Sequence, residues 1–305
     1  DQFLMRGGNA ILLLDSYVEQ QAEGMQMFQR PPQALPVITG LEGMLAHYGI
    51  KIGKDIVMDK QCFIAQQRGL GELTIYFAPM IDDEGLSDDC EVTKYLKKIV
   101  FLKASSLEAN EELLKANKAS VKYIVKSSPY SWLQQGAINF MPWGVNPPAD
   151  NNLASYNLAM LVQGNLKSYF TDKMPNIDVK GKDAKGKDYI QQEVVKETVK
   201  PVKLFVAGTS EITGRNIIDE EGKSPNAVFM HNVVDYMQGN YDIPQMRSKG
   251  LSFNPIKETS DTAKSIIKGF NIAGLPILVL IAGAVYMWRR KLRRKHIESQ
   301  YTMMR

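Results

Sequence analysis

The sequence has few of the residues that usually carry catalysis or bind metals, since its 305 residues include two cysteines and three histidines. The G-x-S-x-G elbow, the H-E-x-x-H zinc motif and the Cys-x-x-Cys pair do not occur in it. His47, His231 and His296 lie in separate segments, where a solvated or structural histidine is the simpler interpretation. We therefore predict a protein that is not an enzyme and that has no catalytic residue, no metal and no cofactor.

A nucleotide-binding loop is also missing. The segment GKDAKGKD, from Gly181 to Asp188, approaches the phosphate-binding pattern G-x-x-x-x-G-K-[ST], but it ends on Asp188 where a hydroxyl should hold Mg²⁺. It lies within residues 171–200, a stretch rich in Lys, Asp and Glu that we predict to be an exposed loop. This chain is therefore not expected to use ATP by itself.

The two cysteines, Cys62 and Cys90, allow two interpretations. In an oxidising compartment a bridge between them would add about 3 to 4 kcal/mol in the chain-entropy model. The alternative is two separate buried thiols. The sequence leaves both open.

Positive charge is concentrated at the C-terminus. The whole chain has a formal net charge of +4, whereas residues 289–305 contain seven Lys or Arg and one Glu, a local charge of +6. The remainder is therefore slightly acidic, at about −2. Because the basic pI near 8.8 comes from this tail, we predict no nucleic-acid binding.

A long uncharged segment precedes the basic tail. Residues 269–288 carry no charged side chain, and twenty helical residues span about 30 Å, the thickness of a bilayer's hydrocarbon core. Tyr286 and Trp288 lie at its end, where aromatic rings favour the membrane interface. The positive-inside rule then predicts a membrane helix with a cytoplasmic C-terminus; the alternative is a buried helix with a basic surface tail. The cations that set this orientation are Arg289, Arg290, Lys291, Arg293, Arg294 and Lys295.

These observations predict four regions: an extracytoplasmic domain over residues 1–250, a juxtamembrane linker over 251–268, a transmembrane helix over 269–288 and a basic cytoplasmic tail over 289–305. The opening DQFLMRGG reads as the inside of a helix. We therefore expect the chain to be the C-terminal part of something longer, whose upstream part supplies an export signal and a further membrane helix.

The large domain alternates apolar runs with helical patterns. Residues 9–14 and the runs DIVMDKQCF, LTIYFAP, KKIVFLKAS, VKYIVKSS and KLFVAGTS are predicted strands. Helices are predicted over 40–48 with a Thr39 and Glu42 capping box, near 107–118, and from Ser224 and Pro225 to Met237. Strands that alternate with helices predict an α/β domain with a mostly parallel sheet.

Small polar residues follow three of the predicted strands. In a parallel sheet, ligands gather beyond the carboxyl ends of the strands, so these residues form a candidate crevice for an unknown ligand. The alternative is that the hydroxyls cap the next helices, as Ser128 before Pro129 would do. The candidate residues are Asp15, Ser16, Ser127, Ser128, Thr209, Ser210 and Glu211.

Six ordered segments that together extend over nearly the whole chain match one known family pattern: DQFLMRGGNAILLLDS, GLEGMLAHYGIKIGKDIVMDKQC, IVKSSPYSW, LAMLVQGNLKSYF, KLFVAGTSEI and HNVVDYMQGNYDIPQMRSK. In these segments the sequence resembles the GldG-like auxiliary proteins of ABC transporters, first named for bacterial gliding motility. The resemblance implies a Rossmann-like or amidotransferase-like domain outside the membrane of a bacterial cell, anchored at both ends. It also implies a separate ATPase, a multi-span permease and membrane lipid as partners.

Two departures from the family pattern stand out. Thr209, Ser210 and Glu211 replace Asp-Ser-Asp, and Tyr236 and Met237 replace Trp-Leu. We expect a non-catalytic accessory subunit of a bacterial ABC transport system. An anchored glycan-binding or scaffold domain that needs no transporter is the alternative, with a hydrolase a distant third.

Overall fold

The computed structural model describes residues 1–20, 33–67, 71–149, 152–170, 180–182, 188–190, 194–250 and 261–302. The chain divides into two compact units, Asp1–Ser252 and Phe253–Arg305. In the described residues, the first unit contains the sheets and five α-helices, and the second contains one long α-helix.

The elements alternate along the chain, with many short strands. The α-helices are α1 (Gln2–Met5), α2 (Glu42–His47), α3 (Glu111–Ala116), α4 (Pro225–Gln238), α5 (Asp242–Gly250) and α6 (Asp261–Thr302). The strands of the first half are β1 (Ala10–Leu13), β2 (Tyr17–Gln20), β3 (Gln33–Pro36), β4 (Ile50–Ile52), β5 (Asp55–Asp59), β6 (Cys62–Gln67), β7 (Gly71–Asp82) and β8 (Lys98–Val100). The later strands are β9 (Leu107–Ala109), β10 (Ala119–Lys126), β11 (Ser131–Gln135), β12 (Asn157–Gly164), β13 (Lys180–Lys182), β14 (Asp188–Ile190) and β15 (Val202–Ala207).

The central sheet has four strands in the order β1-β15-β12-β10. Of the nine strand pairs in the described residues, only β1 with β15 is parallel. The predicted mostly parallel, Rossmann-like sheet is therefore not found, because the unpredicted strand β12 lies antiparallel between β15 and β10. Because β10 is antiparallel to β12 and β12 is antiparallel to β15, β10 runs in the same direction as β15 and β1. The carboxyl ends of these three strands therefore lie at the same edge of the sheet, the one that their ends form.

Two hydrophobic cores cover the two faces of this sheet. Along β15, Phe205 and Ala207 pack into the first core with α4, while Leu204 and Val206 pack into the second with α2 and α3. This alternation explains why all six residues of β15 are buried. The apolar runs of β1 and β15 therefore belong to strands covered on both faces, as the sequence predicts.

A second sheet, β6-β7-β8, and the pair β5-β11 lie beside the central sheet in the first unit. Their aromatic side chains build a third core, in which Phe77 packs against Phe140 with ring centroids 5.4 Å apart. Two predicted elements differ here. The run at 55–63 is two strands, β5 and β6, and the predicted helix at 107–118 begins as β9 before the shorter helix α3.

The predicted ends of α4 are confirmed. The Ser224 hydroxyl oxygen accepts from the Ala227 N–H at 3.3 Å, Pro225 begins the helix, and Gly239 ends it with φ of +91°. The capping box of α2 is half formed. Glu42 accepts from the Thr39 N–H at 2.9 Å, whereas the Thr39 hydroxyl accepts from the N–H of Leu41, before the helix begins.

Cys62 and Cys90 are free and buried, which supports the interpretation as two separate thiols. Burial raises the pKa of Cys62 to about 11 and raises the pKa of Cys90 as well. Because the thiolate is the reactive form, both side chains act as small apolar core residues.

Most of the predicted charged loop at 171–200 lies outside the described residues. Its described part includes the antiparallel pair β13 and β14. The P-loop-like segment therefore starts in one strand of a hairpin and ends in the other, whereas a phosphate-binding loop joins a strand to a helix.

A buried lysine holds the C-terminal end of α4 against the central sheet. The Lys203 ammonium on β15 donates to the Tyr236 carbonyl at 2.6 Å. It also lies 4.6 Å from the Tyr236 ring centroid and 4.5 Å from that of Tyr241. The helix dipole and the two rings stabilise the positive charge. Burial raises the pKa of Tyr236 to about 12, so its ring stays neutral.

The segment HNVVDYMQGNYDIPQMRSK forms α4, a turn and α5. Arg247 of α5 donates to the Asn232 side-chain oxygen at 2.8 Å and to the Asp235 carboxylate at 2.6 Å. Asn232 is fully buried and donates to the Val92 carbonyl at 3.1 Å. One guanidinium fork therefore attaches α5 to α4.

The second unit contains α6, a 42-residue helix with Pro276 inside it. Its Lys268–Arg293 segment is long and apolar enough to cross a membrane, by length and composition, and it includes the predicted span 269–288. Residues 251–260 of the predicted linker lie outside the described residues, whereas 261–268 are already helical.

Replacing Arg247 tests the attachment of α5. We expect Arg247→Ala to remove two charge-assisted hydrogen bonds and to speed amide hydrogen exchange in α5, while exchange in β15 stays slow. Arg247→Lys is the matched control, since it keeps the charge but not the fork and should give an intermediate rate. Unchanged exchange in the alanine variant would show that the apolar packing alone holds α5.

Candidate functional site

The carboxyl ends of β1 and β15 are joined by a carboxylate and a serine. Asp15, after β1, accepts from the Ser210 N–H at 2.7 Å and from the Ser210 hydroxyl at 2.5 Å. The structure thus brings together two of the predicted crevice residues, because the strands before them are parallel neighbours. Both oxygens of the carboxylate are used within the protein.

The neighbouring crevice residues also bond to the protein itself. Thr209 is buried and donates its hydroxyl to the Leu102 carbonyl at 2.7 Å, and the same oxygen accepts from the Glu211 N–H at 3.0 Å. Ser16 donates to the Gly53 carbonyl at 2.7 Å. These hydroxyls fix main-chain segments at the sheet edge.

Lys103 also lies at this edge of the sheet, and no sequence pattern predicts that position. Its ammonium lies 2.5 Å from a Glu19 oxygen, 3.7 Å from a Glu211 oxygen and 5.0 Å from the Phe140 ring centroid. The lysine side chain is only 14% exposed. Two carboxylates around one ammonium leave a formal charge of −1 at this point, so the Lys103 ammonium is not free to attract an anion.

Ser127 and Ser128 belong to a different set of contacts. Ser127 accepts from the Tyr156 N–H at 2.9 Å and thereby links the end of β10 to the beginning of β12. Ser128 donates its N–H and its hydroxyl to Asp59, at 2.9 and 2.5 Å. Among the described residues, no hydrogen bond joins this pair to Asp15 or Ser210. The seven predicted residues therefore form two groups.

The predicted helix cap at Ser128 is wrong, because no helix follows Pro129. The Ser128 oxygen accepts from the Tyr130 N–H at 3.0 Å in a local turn, and the chain continues into β11. Ser210 precedes a short 3-10 helix, Glu211–Thr213, but its side chain makes no capping bond. Both hydroxyls reach a distant carboxylate instead.

The same arrangement occurs three times in the described residues. In each case an aspartate accepts from both the N–H and the hydroxyl of one serine, and we call these contacts the Asp–Ser clamps. The third clamp joins Asp55 to Ser106 at 2.9 and 2.8 Å. Asp55 and Asp59 are buried and flank the apolar residues of β5, a pattern visible in the sequence as DIVMD. The three clamps are Asp15–Ser210, Asp55–Ser106 and Asp59–Ser128.

The cavities in the described part of the first unit include the following three. One of about 170 Å³ is lined by Ser127, Ser128 and the acidic residues Asp82 and Glu84. A second, of about 460 Å³, lies beside the Asp55–Ser106 clamp and α2. The third, of about 500 Å³, is mainly apolar and lies between β7, β8 and the start of α4. None of them is lined by a histidine or a cysteine.

The chemistry of the sheet edge is limited. The Ser210 hydroxyl donates to a carboxylate, and no histidine contacts any candidate serine among the described residues, so no nucleophile and base are paired. In this part of the chain no cluster of three or more His, Cys, Asp or Glu side chains fits a metal ion. The arrangement is suited to holding segments together and binding by shape.

The architecture defines a class: a mixed α/β domain in a chain whose described residues include one helix long and apolar enough to cross a membrane. A family model described as an ABC-type uncharacterized transport system matches residues 1–238, and the chain belongs to this family of ABC transporter auxiliary proteins. No curated protein and no solved structure matches it.

The family match covers the central sheet, both cores and the three clamps, and it ends at the last residue of α4. The chain is therefore an auxiliary component of an ABC-type transport system. This supports the general resemblance seen in the sequence.

Serine replacements measure the contribution of the edge contacts. We expect Ser16→Ala, Ser127→Ala and Ser210→Ala each to lower the free energy of unfolding by about 1 kcal/mol, because each leaves a polar group without its partner. Ser120→Ala is the control, since that exposed serine makes only one long bond of 3.4 Å and should change stability by less than about 0.5 kcal/mol. Denaturant unfolding followed by tryptophan fluorescence gives the values. Full stability in Ser210→Ala would contradict a structural role for the clamp.

Proposed function

We propose that this chain is a non-catalytic, membrane-anchored accessory subunit of a bacterial ABC transport system, similar to the GldG-like proteins of gliding motility. Residues 1–250 act outside the cytoplasm, and residues 289–305 form a cytoplasmic tail. A separate ATPase and a multi-span permease are its partners. The observation that carries the proposal is the apolar Lys268–Arg293 segment in a chain of the ABC transporter auxiliary family.

The exposure of α6 supports a membrane anchor. Large apolar side chains of this helix, such as Phe270, Leu280 and Trp288, are mostly exposed. An apolar surface of this length is costly in water and favourable in a bilayer. Tyr286 and Trp288 then lie at the interface, next to the cations that begin at Arg289.

The polar groups of the domain support a role without catalysis. Asp15, Ser210 and Thr209 bond to other parts of the protein, and Lys103 bridges two carboxylates. An accessory subunit without its own nucleotide site influences transport only through contacts that differ between the states of its motor partner. The membrane helix and the surface of the outer domain provide such contacts.

The residues that depart from the GldG-like pattern make contacts within this protein. Thr209 donates its hydroxyl to the Leu102 carbonyl, and Tyr236 packs its ring against the Lys203 ammonium and Tyr241. Both replaced segments therefore contribute to the structure of the domain. The cargo and a role in gliding do not follow from these contacts.

Reporter fusions test the topology. We expect a reporter fused after Arg305 to be cytoplasmic and one inserted near Lys185 to be outside, because the basic cluster stays on the cytoplasmic side. The control replaces four of the six cations, Arg289, Arg290, Arg293 and Arg294, with Asn, which should weaken or mix the orientation. The opposite orientation of the unmodified chain would refute the proposal.

A helix exchange tests whether the anchor takes part in assembly. Residues 269–288 are replaced by an unrelated span of equal length, while the following cations are kept so that topology is preserved. We expect the outer domain to stay folded and copurification with the permease to fall, since small residues permit close helix packing. The matched control is the same foreign span carrying Gly269, Ala273 and Gly283.

The two spans give a clear comparison. Recovery of copurification with the small residues would assign the contact to that face of the helix. Undiminished assembly and transport with either span would show that α6 is only a tether. Failure of the unmodified chain to copurify with an ATPase and a permease would favour the glycan-binding or scaffold alternative.

A further inference from the structure

The apolar cavity beside α4 has the size of a ligand site. Its volume of about 500 Å³ lies within the range of about 300 to 1,000 Å³ that is usual for small-molecule pockets. Phe77, Ala78 and Ile99 are buried and line it from β7 and β8. Ile75 and Ile217 are half-buried and also line it. The cavity is therefore a preformed apolar site.

The mouth of the cavity exposes an aromatic ring. Phe63 of β6 lines the cavity and is 45% exposed, although side chains of its size are normally buried. Its neighbour Ile64 is 52% exposed and does not line the cavity, because successive side chains of a strand point to opposite faces. Phe63 and Ile64 therefore lie on opposite faces of β6, although the exposed fractions of the two side chains are similar.

One charge lies among the lining residues, and it is positive. Lys98 of β8 is exposed and is the charged residue among those that line the cavity. Asp82 is its partner in the strand pairing, but that carboxylate accepts from the Gln61 side chain at 2.8 Å. No ion pair joins Asp82 and Lys98 in the described residues. The helix α4 also begins at the lining residue Pro225, so its positive dipole end lies on this side.

A peptide strand is excluded as the occupant by Asn226. Its side-chain oxygen accepts from the Val100 N–H at 3.0 Å, and its side-chain nitrogen donates to the Val100 carbonyl at 2.7 Å. The amide therefore occupies the main-chain groups of Val100 that an added strand would use. The rest of the lining is mainly apolar, with Lys98 and Asn216 as its other polar residues.

We propose that this cavity binds a single-chain aliphatic carboxylate, with the chain between β7 and Ile217 and the carboxylate at Lys98. The apolar walls favour an alkyl chain over a sugar or a peptide, which need several hydrogen-bonding groups. The single positive charge favours a carboxylate over an amine. This site is independent of the proposed transport role.

The test uses the full chain in membrane vesicles and a dodecanoate that carries a photoreactive diazirine in its chain. After irradiation, labelled peptides are quantified by mass spectrometry. We expect labelling of the peptides that contain Ile75 and Ile217. Phe63→Asp should lower it at least about tenfold by placing a charge in the apolar mouth, whereas Ile64→Asp should leave it unchanged.

A second pair of variants tests the charge. Lys98→Ala should lower labelling several-fold, and the adjacent exposed Lys97→Ala, which does not line the cavity, should not. A matching diazirine dodecylamine should label these peptides several-fold less than the carboxylate. Both lysines are exposed, so their replacement leaves the fold intact and keeps the proposal falsifiable if Phe63→Asp unfolds the domain.

Several results would overturn the proposal. These are equal labelling in the Lys97 and Lys98 variants, labelling confined to α6, equal labelling by the amine, or labelling only by a diazirine-bearing diacyl phospholipid. Cross-linking of two copies through Phe63, without ligand, would assign the surface to self-association instead. Copurification with the permease is measured on the same variants and is expected to stay unchanged, which separates this test from that of the transport role.

Discussion

The fold depends on two buried carboxylates and one half-buried carboxylate that are satisfied by serines far away in the sequence. A carboxylate removed from water costs several kcal/mol unless hydrogen bonds replace the solvent. In each Asp–Ser clamp one serine supplies both its N–H and its hydroxyl, so the aspartate fixes the main chain as well as a side chain. Because the clamp partners are 51, 69 and 195 positions apart, the three contacts hold the loops at the strand ends in one arrangement.

Local patterns were enough to predict some elements and not others. The cap and end of α4 depend on neighbouring residues, and β1 and β15 carry apolar runs that a strand covered on both faces requires. Such a run reads the same in a parallel or an antiparallel strand, which is why β12 and the mixed sheet were not predicted. Likewise, Asp15 and Ser210 could be predicted as site residues because each follows an apolar strand that the sequence identifies. The contacts of Lys103 and Asp59 could not be predicted, because they form only in the tertiary structure.

The domain uses its polar groups mostly for its own structure, and this limits how an auxiliary protein of this kind can act. A site for chemistry needs groups that remain unsatisfied until the substrate arrives. Here the Lys103 ammonium is paired with Glu19 and Glu211, and the main-chain groups of Val100 in β8 are bonded by Asn226. What the surface presents is shape and apolar area, which suits recognition of a partner or of a lipid-like molecule.

The Lys203 contact also determines how the domain responds to salt. Ion pairs at exposed positions, such as Lys51 with Glu108 and Lys115 with Glu111, are screened by dissolved ions. The Lys203 ammonium is buried under two tyrosine rings and bonded to a helix carbonyl, so mobile ions do not reach it. The attachment of α4 to the central sheet is therefore nearly independent of ionic strength, so added salt weakens the exposed ion pairs first and leaves this contact in place.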